Sequence, residues 1–240
     1  MTDDRRTIVV GDIHGCADEL DRLLKKLDHG RDDRLVLVGD LVARGPDSVG
    51  VVDRARELGA LVVRGNHEVI VLRWWEARRA GAEEPRVAAQ HRSVVETLNE
   101  THWGYLEALP WFLRLEDIDG LVVHAGMLPG LPPEKQDPMD LVYVRSIRLD
   151  GSGSRRIDEG RPWASAWAGP EHVMFGHDAL RRLQLEPWAT GLDTGCVYGD
   201  RLSALVIEPG ETLAGPHPAR RVVSVKARKE WYAGGGGRRD

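Results

Sequence analysis

Thr7-Ile8-Val9-Val10-Gly11-Asp12-Ile13-His14-Gly15 is a short β-branched run that stops at a glycine and then offers a carboxylate and an imidazole. The same grammar returns twice. Arg34–Val38 ends in Gly39-Asp40, and Leu61–Val63 leads through Arg64 into Gly65-Asn66-His67-Glu68. Between these runs lie two stretches of helical period, with Leu20, Leu23, Leu24 and Leu27 on one face of the first and Val51, Val52, Ala55 and Leu58 on one face of the second. Strand, helix, strand, helix, strand predicts successive βαβ units with parallel strands. Ligands of such sheets gather at the carboxyl ends of the strands, where these polar residues stand.

Further along, a helical region is expected from about residue 69 to 109, interrupted near Gly81–Pro85. Its Trp74, Trp75, Trp103 and Tyr105 read as packing residues of a helical layer rather than as a base-stacking platform. Strands are expected at Trp111–Leu115, Leu121–Val123, His172–Phe175, Cys196–Tyr198, Ser203–Glu208 and Arg221–Val225. A turn is expected at Glu116–Gly120, a short helix around Met139–Val144 and an exposed loop over Asp150–Pro162. We expect one domain over residues 1–232 and a disordered tail over 233–240.

The 240 residues carry 33 basic and 38 acidic side chains, a formal net charge of −5, which removes the footprint of a dedicated nucleic-acid binder. No apolar stretch nears the ~20 residues of a membrane span. With two cysteines and a charged start, the expectation is a cytoplasmic protein with reduced thiols.

Two later junctions repeat the opening pattern, His124-Ala125-Gly126 and Gly176-His177-Asp178. Each junction alone is weak, since an isolated histidine is usually structural and Asn66 could simply cap a helix. Together, five strand ends supply metal-ligand side chains beside glycines, and that predicts a metal centre. Mixed imidazole and carboxylate ligation suits manganese, iron or zinc better than calcium or magnesium.

Gly11–Gly15, Gly39–Gly45, Gly65–Glu68, His124–Gly126 and Gly176–His177 resemble the ordered motifs of the calcineurin-like metallophosphoesterases of the phosphoprotein-phosphatase superfamily, over about residues 7–208. Gly39-Asp-Leu-Val-Ala-Arg-Gly-Pro46 is similar to the bacterial symmetrical diadenosine tetraphosphatase branch and its relatives. The resemblance implies an α/β fold, a four-layer α/β/β/α sandwich with a helical insertion around residues 69–109. It also implies two divalent cations, manganese first, with iron, zinc or cobalt compatible. Asp12 and His14 would hold one cation, Asp40 would bridge, and Asn66, His124 and His177 would hold the other. His67 would be the general acid, and Arg44, Arg64 and Arg145 would bind phosphate, with Arg44 and Arg145 neutralising charge during reaction. Glu68 and Asp193 would be structural. Cys16, at the mouth of the site, would be an ordinary small residue.

The implied reaction is hydrolysis of diadenosine tetraphosphate to two ADP by in-line attack of a metal-held hydroxide. A serine/threonine protein phosphatase is the alternative, and removal of nucleotides from capped RNA ends a third. A pseudophosphatase would lack a ligand, and none is missing. A second-nucleotide pocket, built from tryptophans of the helical region or from the loop at residues 130–137, would favour the nucleotide substrate. An open groove would favour phosphoprotein. Two departures from the protein phosphatases stand out, Ala125 in place of a glycine and Ala43 in place of an aspartate that orients the acid histidine. That leaves Asp178 or water to orient His67. Oligomeric state is left open.

Overall fold

A computed structural model describes residues 5–216 and 218–233. Of the tail expected over residues 233–240, residues 234–240 lie outside the described residues. The chain opens with β1 (Thr7–Val10), α1 (Ala17–Lys26), β2 (Arg34–Leu37), α2 (Ser48–Glu57) and β3 (Leu61–Val62). β1 and β2 are parallel, in the register Thr7 to Arg34 through Val10 to Leu37, and β3 continues parallel to β2. Both βαβ units are as the sequence pattern predicts.

Three helices follow, α3 (Asn66–Arg79), α4 (Ala89–Thr97) and α5 (Glu100–Glu107), with the break between α3 and α4 covering Gly81–Pro85. Then come β4 (Phe112–Leu115), β5 (Gly120–Val123), α6 (Pro138–Tyr143), β6 (Ser146–Ile147), β7 (Gly153–Ser154), β8 (Arg161–Pro162) and α7 (Trp163–Ala166). The chain closes with β9 (His172–Phe175), β10 (Gln184–Glu186), β11 (Ala189–Gly191), β12 (Arg201–Ile207) and β13 (Arg221–Lys226).

The strands form two five-stranded sheets, β13-β12-β1-β2-β3 and β10-β11-β9-β5-β4, and a small sheet β7-β6-β8. Side chains alternate across a strand, and the alternation sorts the layers. Val9, Val36 and Leu205 meet Val122 and Met174 between the two sheets. Their neighbours Ile8, Val10, Leu35, Leu37 and Ala204 face α1 to α5. Leu121, Val123, Val173 and Phe175 face outward against Trp163 and Trp167. Helices, sheet, sheet, helices: the architecture is the expected four-layer sandwich. Trp75 and Trp103 stack at 4.9 Å inside the helical layer and both are buried, so they pack a core and offer no platform for a base.

Three expectations need correction, and two strands carried no signal in the sequence. Leu58 ends α2 on the solvent side, exposed rather than packed. Cys196–Tyr198 is a turn, because Gly195 and Gly199 both take positive φ and Tyr198 N–H closes back on the Gly195 carbonyl at 3.1 Å. β10 and β11 arise from polar or small residues with no apolar alternation to mark them. The stretch 150–162 is not a plain loop. It contributes β7 and β8, held by polar contacts of Arg148 with Glu159 and the Gly153 carbonyl.

Candidate active site

The site is assembled where the two large sheets bring their carboxyl ends together. Asp12 and His14 follow β1, Asp40 follows β2, and Asn66 opens α3 just after β3; His124 follows β5 and His177 follows β9, in the second sheet. Holding six side chains of one cluster on so many sharp turns distorts the backbone. Among the described residues, eight non-glycine residues have positive φ, and His14, Asp40, Ala43, Arg44 and His177 are five of them. Strain collected in this way marks sites whose surroundings over-determine the geometry. Close approach also demands glycine: a Cβ on Gly176 would lie 1.8 Å from Asp12 Oδ1.

Asp40 is the centre. Its Oδ2 lies 3.5 Å from His14 Nε2 and 4.0 Å from His67 Nε2, while its Oδ1 lies 3.5 Å from His124 Nε2. One carboxylate therefore faces two groups of donors, His14 with His67 and His124 with His177. Asn66 Oδ1 lies 3.0 Å from His124 Nε2 and 2.9 Å from His177 Nδ1, inside the second group. Asp12 accepts the His177 backbone N–H at 3.1 Å and stands 4.0 Å from His14 Nε2. All six expected ligands are brought together.

The hydrogen bonds also set tautomers. His14 Nδ1–H donates to the Val42 carbonyl at 3.2 Å, and His124 Nδ1–H donates to the Val38 carbonyl at 2.8 Å. Both Nε2 lone pairs are thereby turned toward Asp40, the arrangement that outer partners impose on metal-binding histidines.

Electrostatics point the same way. Burial, then the charges of Asp193 and Asp40, holds Asp12 well above the usual carboxylate range. Burial raises Asp40 to about 7 and also raises Asp193. Burial lowers His124 to about 4 and puts His14 and His177 well below an ordinary imidazole, with Arg44 and Arg145 respectively next in effect. Buried carboxylates short of positive charge, beside imidazoles held neutral, form the donor set a divalent cation needs. The residues fit the metal pair that the motifs imply.

The arginines divide. Arg44 lies 3.3 Å from His14 Nε2, with its guanidinium 5.5 Å and 5.6 Å from the Tyr198 and Tyr232 ring centres. Arg145 donates to the His177 carbonyl at 3.3 Å and to the Arg155 carbonyl at 3.0 Å. The Nε atoms of Arg44, Arg145 and also Arg64 are buried without a hydrogen-bond partner, Arg145 Nε standing 3.9 Å from Asp178 Oδ1. Arg64 is engaged elsewhere: it lies 4.7 Å over the Trp111 ring and donates to the Glu107 carbonyl at 2.7 Å.

Asp178 pairs with Arg181 at 2.6 Å and does not reach His67. The partner of His67 is His91, from α4, whose Nε2 lies 2.8 Å from His67 Nδ1. No motif marks His91, and only its place in the helical insertion after an unpartnered acid histidine could have pointed to it. Cys16 is wholly buried, with its thiol directed at the His14 carbonyl, and so does not lie at the mouth of the site. Glu68 accepts the backbone N–H groups of Asp40 and Gly65, and Asp193 accepts that of Gly195.

Comparison with known proteins agrees with this geometry. The chain is 33% identical over 217 residues to serine/threonine-protein phosphatase 1 of Salmonella typhimurium, covering 85% of this chain and 93% of that one. It is 28% identical over 249 residues to bis(5'-nucleosyl)-tetraphosphatase PrpE (asymmetrical) of Oceanobacillus iheyensis, covering 94% of both. A crystal structure provisionally named as a diadenosine tetraphosphatase superposes with a TM-score of 0.80 at 37% identity, over 93% of this chain and 94% of that one. The family profile of the calcineurin-like phosphoesterases matches residues 5–200, and with the cluster around Asp40 in place the chain belongs to that family.

Proposed function

We propose that this phosphoesterase hydrolyses dinucleoside polyphosphates with a pair of divalent cations, manganese first. The observation that carries the reading is Asp40, whose two oxygens face His14 and His124 separately, each at 3.5 Å. Asp12, His14 and Asp40 would hold one cation and Asp40, Asn66, His124 and His177 the other. Such a pair supplies Lewis acidity toward a phosphoryl oxygen and lowers the pKa of water.

The chain's own side chains do the rest. Arg44 and Arg145, with unpartnered buried Nε–H groups, take the phosphoryl oxygens and offset their growing charge. Asn66 contributes a neutral oxygen, which limits the negative charge facing an anionic substrate. His67 delivers a proton to the departing oxygen from Nε2. Arg64 also has a buried, unpartnered Nε–H, but its guanidinium lies over Trp111 and donates to the Glu107 carbonyl, so we give it no phosphate oxygen. A cleft of about 400 Å³ adjoins Arg145 and is lined by Arg148, Arg155 and Arg156 together with Asp140 and Glu159, the last paired with Arg148 and Arg156. We assign it to the far end of a polyphosphate chain, in place of the buried tryptophans.

Where the chain is cut is the finer question. The Val42-Ala43-Arg44-Gly45-Pro46 resemblance favours two nucleoside diphosphates, whereas the Oceanobacillus relative is named for asymmetrical cleavage. That relative spans the whole fold, so we propose the asymmetrical cut, to a nucleoside monophosphate and triphosphate. The Salmonella relative supports the second reading, a serine/threonine phosphatase. Incubation of manganese-loaded protein with diadenosine tetraphosphate, and in parallel with a phosphoserine peptide, separates these readings. AMP and ATP are expected. ADP alone would restore the symmetrical cut, and faster peptide turnover would replace the substrate.

A further inference from the structure

We propose that His91 is the positioning residue of the proton donor, taking by a neutral imidazole the place that an aspartate at position 43 would fill. The inference rests on His67 being that donor. Ala43 has no side chain with which to hold the ring. The His67 backbone is secured, since its N–H donates to Asp40 Oδ1 at 3.0 Å, but this does not choose a ring orientation. The His91 ring does. It lies nearly parallel to His67, at 4.8 Å and 24°, with its Nε2 2.8 Å from His67 Nδ1.

The bland alternative is a core histidine that merely fills space. Its bonding argues otherwise. His91 is buried, its Nδ1 has no hydrogen-bond partner, and its one side-chain hydrogen bond runs to His67. A buried polar group satisfied at one atom only is poor packing material, and an apolar ring would serve a core better.

The proton accounting is consistent. As the acid His67 is an imidazolium: its Nδ1–H donates to His91 Nε2, and the transferable proton sits on Nε2, which stands 4.0 Å from Asp40 Oδ2 at the reaction centre. On transfer the His67 Nε2–H bond breaks and an O–H bond forms as the P–O electron pair moves onto the leaving oxygen. His67 thereby goes from imidazolium to the neutral Nδ1–H tautomer with that N–H still on His91, so no tautomer change is needed, and a proton from solvent restores the cation before the next turnover. A neutral acceptor also adds no negative charge beside an anionic substrate.

The test pairs a spectrum with a leaving-group series. In the metal-free protein, nitrogen NMR of the imidazoles should show His67 as the Nδ1–H tautomer; Nε2–H in the wild type would overturn the proposal. In manganese-loaded enzyme, His91→Phe should lower kcat for phenyl phosphate on the order of 100-fold with KM little changed. It should barely affect dinitrophenyl phosphate, whose leaving group needs no proton. His91→Gln, whose amide oxygen can accept the same N–H, should restore much of the loss. An equal loss on both esters, or no loss, makes His91 a packing residue. His67→Ala run alongside keeps the premise separate: if it slows both esters equally, it is the donor assignment that fails.

Discussion

Glu68 Oε2 accepts the backbone N–H of Asp40 at 2.8 Å, and the same oxygen accepts the N–H of Gly65 at 2.8 Å. Its other oxygen takes the N–H groups of Leu41 and Val42 at 2.9 Å and 3.2 Å. A single carboxylate on α3 thus ties the loop after β2 to the loop after β3 and sets the spacing between Asp40 and Asn66. Burial, then the charge of Asp40, raises this carboxyl to about 7, against the pull of the backbone donors, which favour the charged form.

Glu68→Ala would leave those four buried N–H groups without an acceptor. Unsatisfied buried groups cost about 1–3 kcal/mol each before relaxation, so we expect at least ~3 kcal/mol of lost stability. Thermal melts should fall by roughly 10 °C, and calorimetric metal affinity by about 10–100-fold. An unchanged melt would remove the clamp from this account.

Gly176→Ala places a Cβ 1.8 Å from Asp12 Oδ1, so the carboxylate must move. Displacement of about 1 Å in a preorganised site can cost on the order of 100-fold in rate. Circular dichroism should stay near wild type while elemental analysis finds less bound metal. Full activity in the variant would show that Asp12 is not where the chemistry needs it.

Asp40→Asn and His67→Asn separate ligand from acid. His67 Nε2 is near enough to Asp40 and His14 to be taken for a ligand, so the contrast matters. We expect Asp40→Asn to strip metal and lower turnover roughly 1000-fold, about 4 kcal/mol of lost transition-state stabilisation. His67→Asn should lower turnover with metal content intact, and chelation should silence the wild type. Metal lost in parallel from both variants would make His67 a ligand.

His172 is wholly buried, with Nε2 2.8 Å from Thr190 Oγ1, and burial, then the charge of Arg220, lowers it to about 4. Unfolded, it titrates near ~6.5. Between these values the unfolded chain binds more protons, so stability is lost as pH falls from about 6.5 to about 4. The loss should approach 2–3 kcal/mol at the lower end. Denaturant titrations across that window should show His172→Gln losing less stability than wild type; equal slopes would rule out His172 as the source.

Much of the site was legible because its residues are bound to local features that sequence displays. Asp12, Asp40 and His177 each follow a buried apolar run directly, and glycine precedes each of them. The same economy hid other features. His91 belongs to a helix whose pattern is that of any amphipathic segment, and its meaning comes only from a ring 24 residues earlier in the chain. Arg64 sits beside Gly65 in the motif, yet its contacts with the Trp111 ring and the Glu107 carbonyl come from a segment more than forty residues away. The sheet at 146–162 is held by arginine and glutamate contacts, which leave no hydrophobic period to detect.

What the chain carried openly was its set of strand ends, since hydrophobic period and glycine are properties of neighbours in sequence. That was enough for the parallel βαβ units and for a candidate metal centre at the strand ends, and the motifs carried the resemblance that implied the layers and the family. Only the tertiary structure decided which partner holds each donor: the carbonyl on His14, the clamp on Asp40, the imidazole behind His67. Those choices depend on distances between segments remote in sequence, which packing sets and local pattern does not encode.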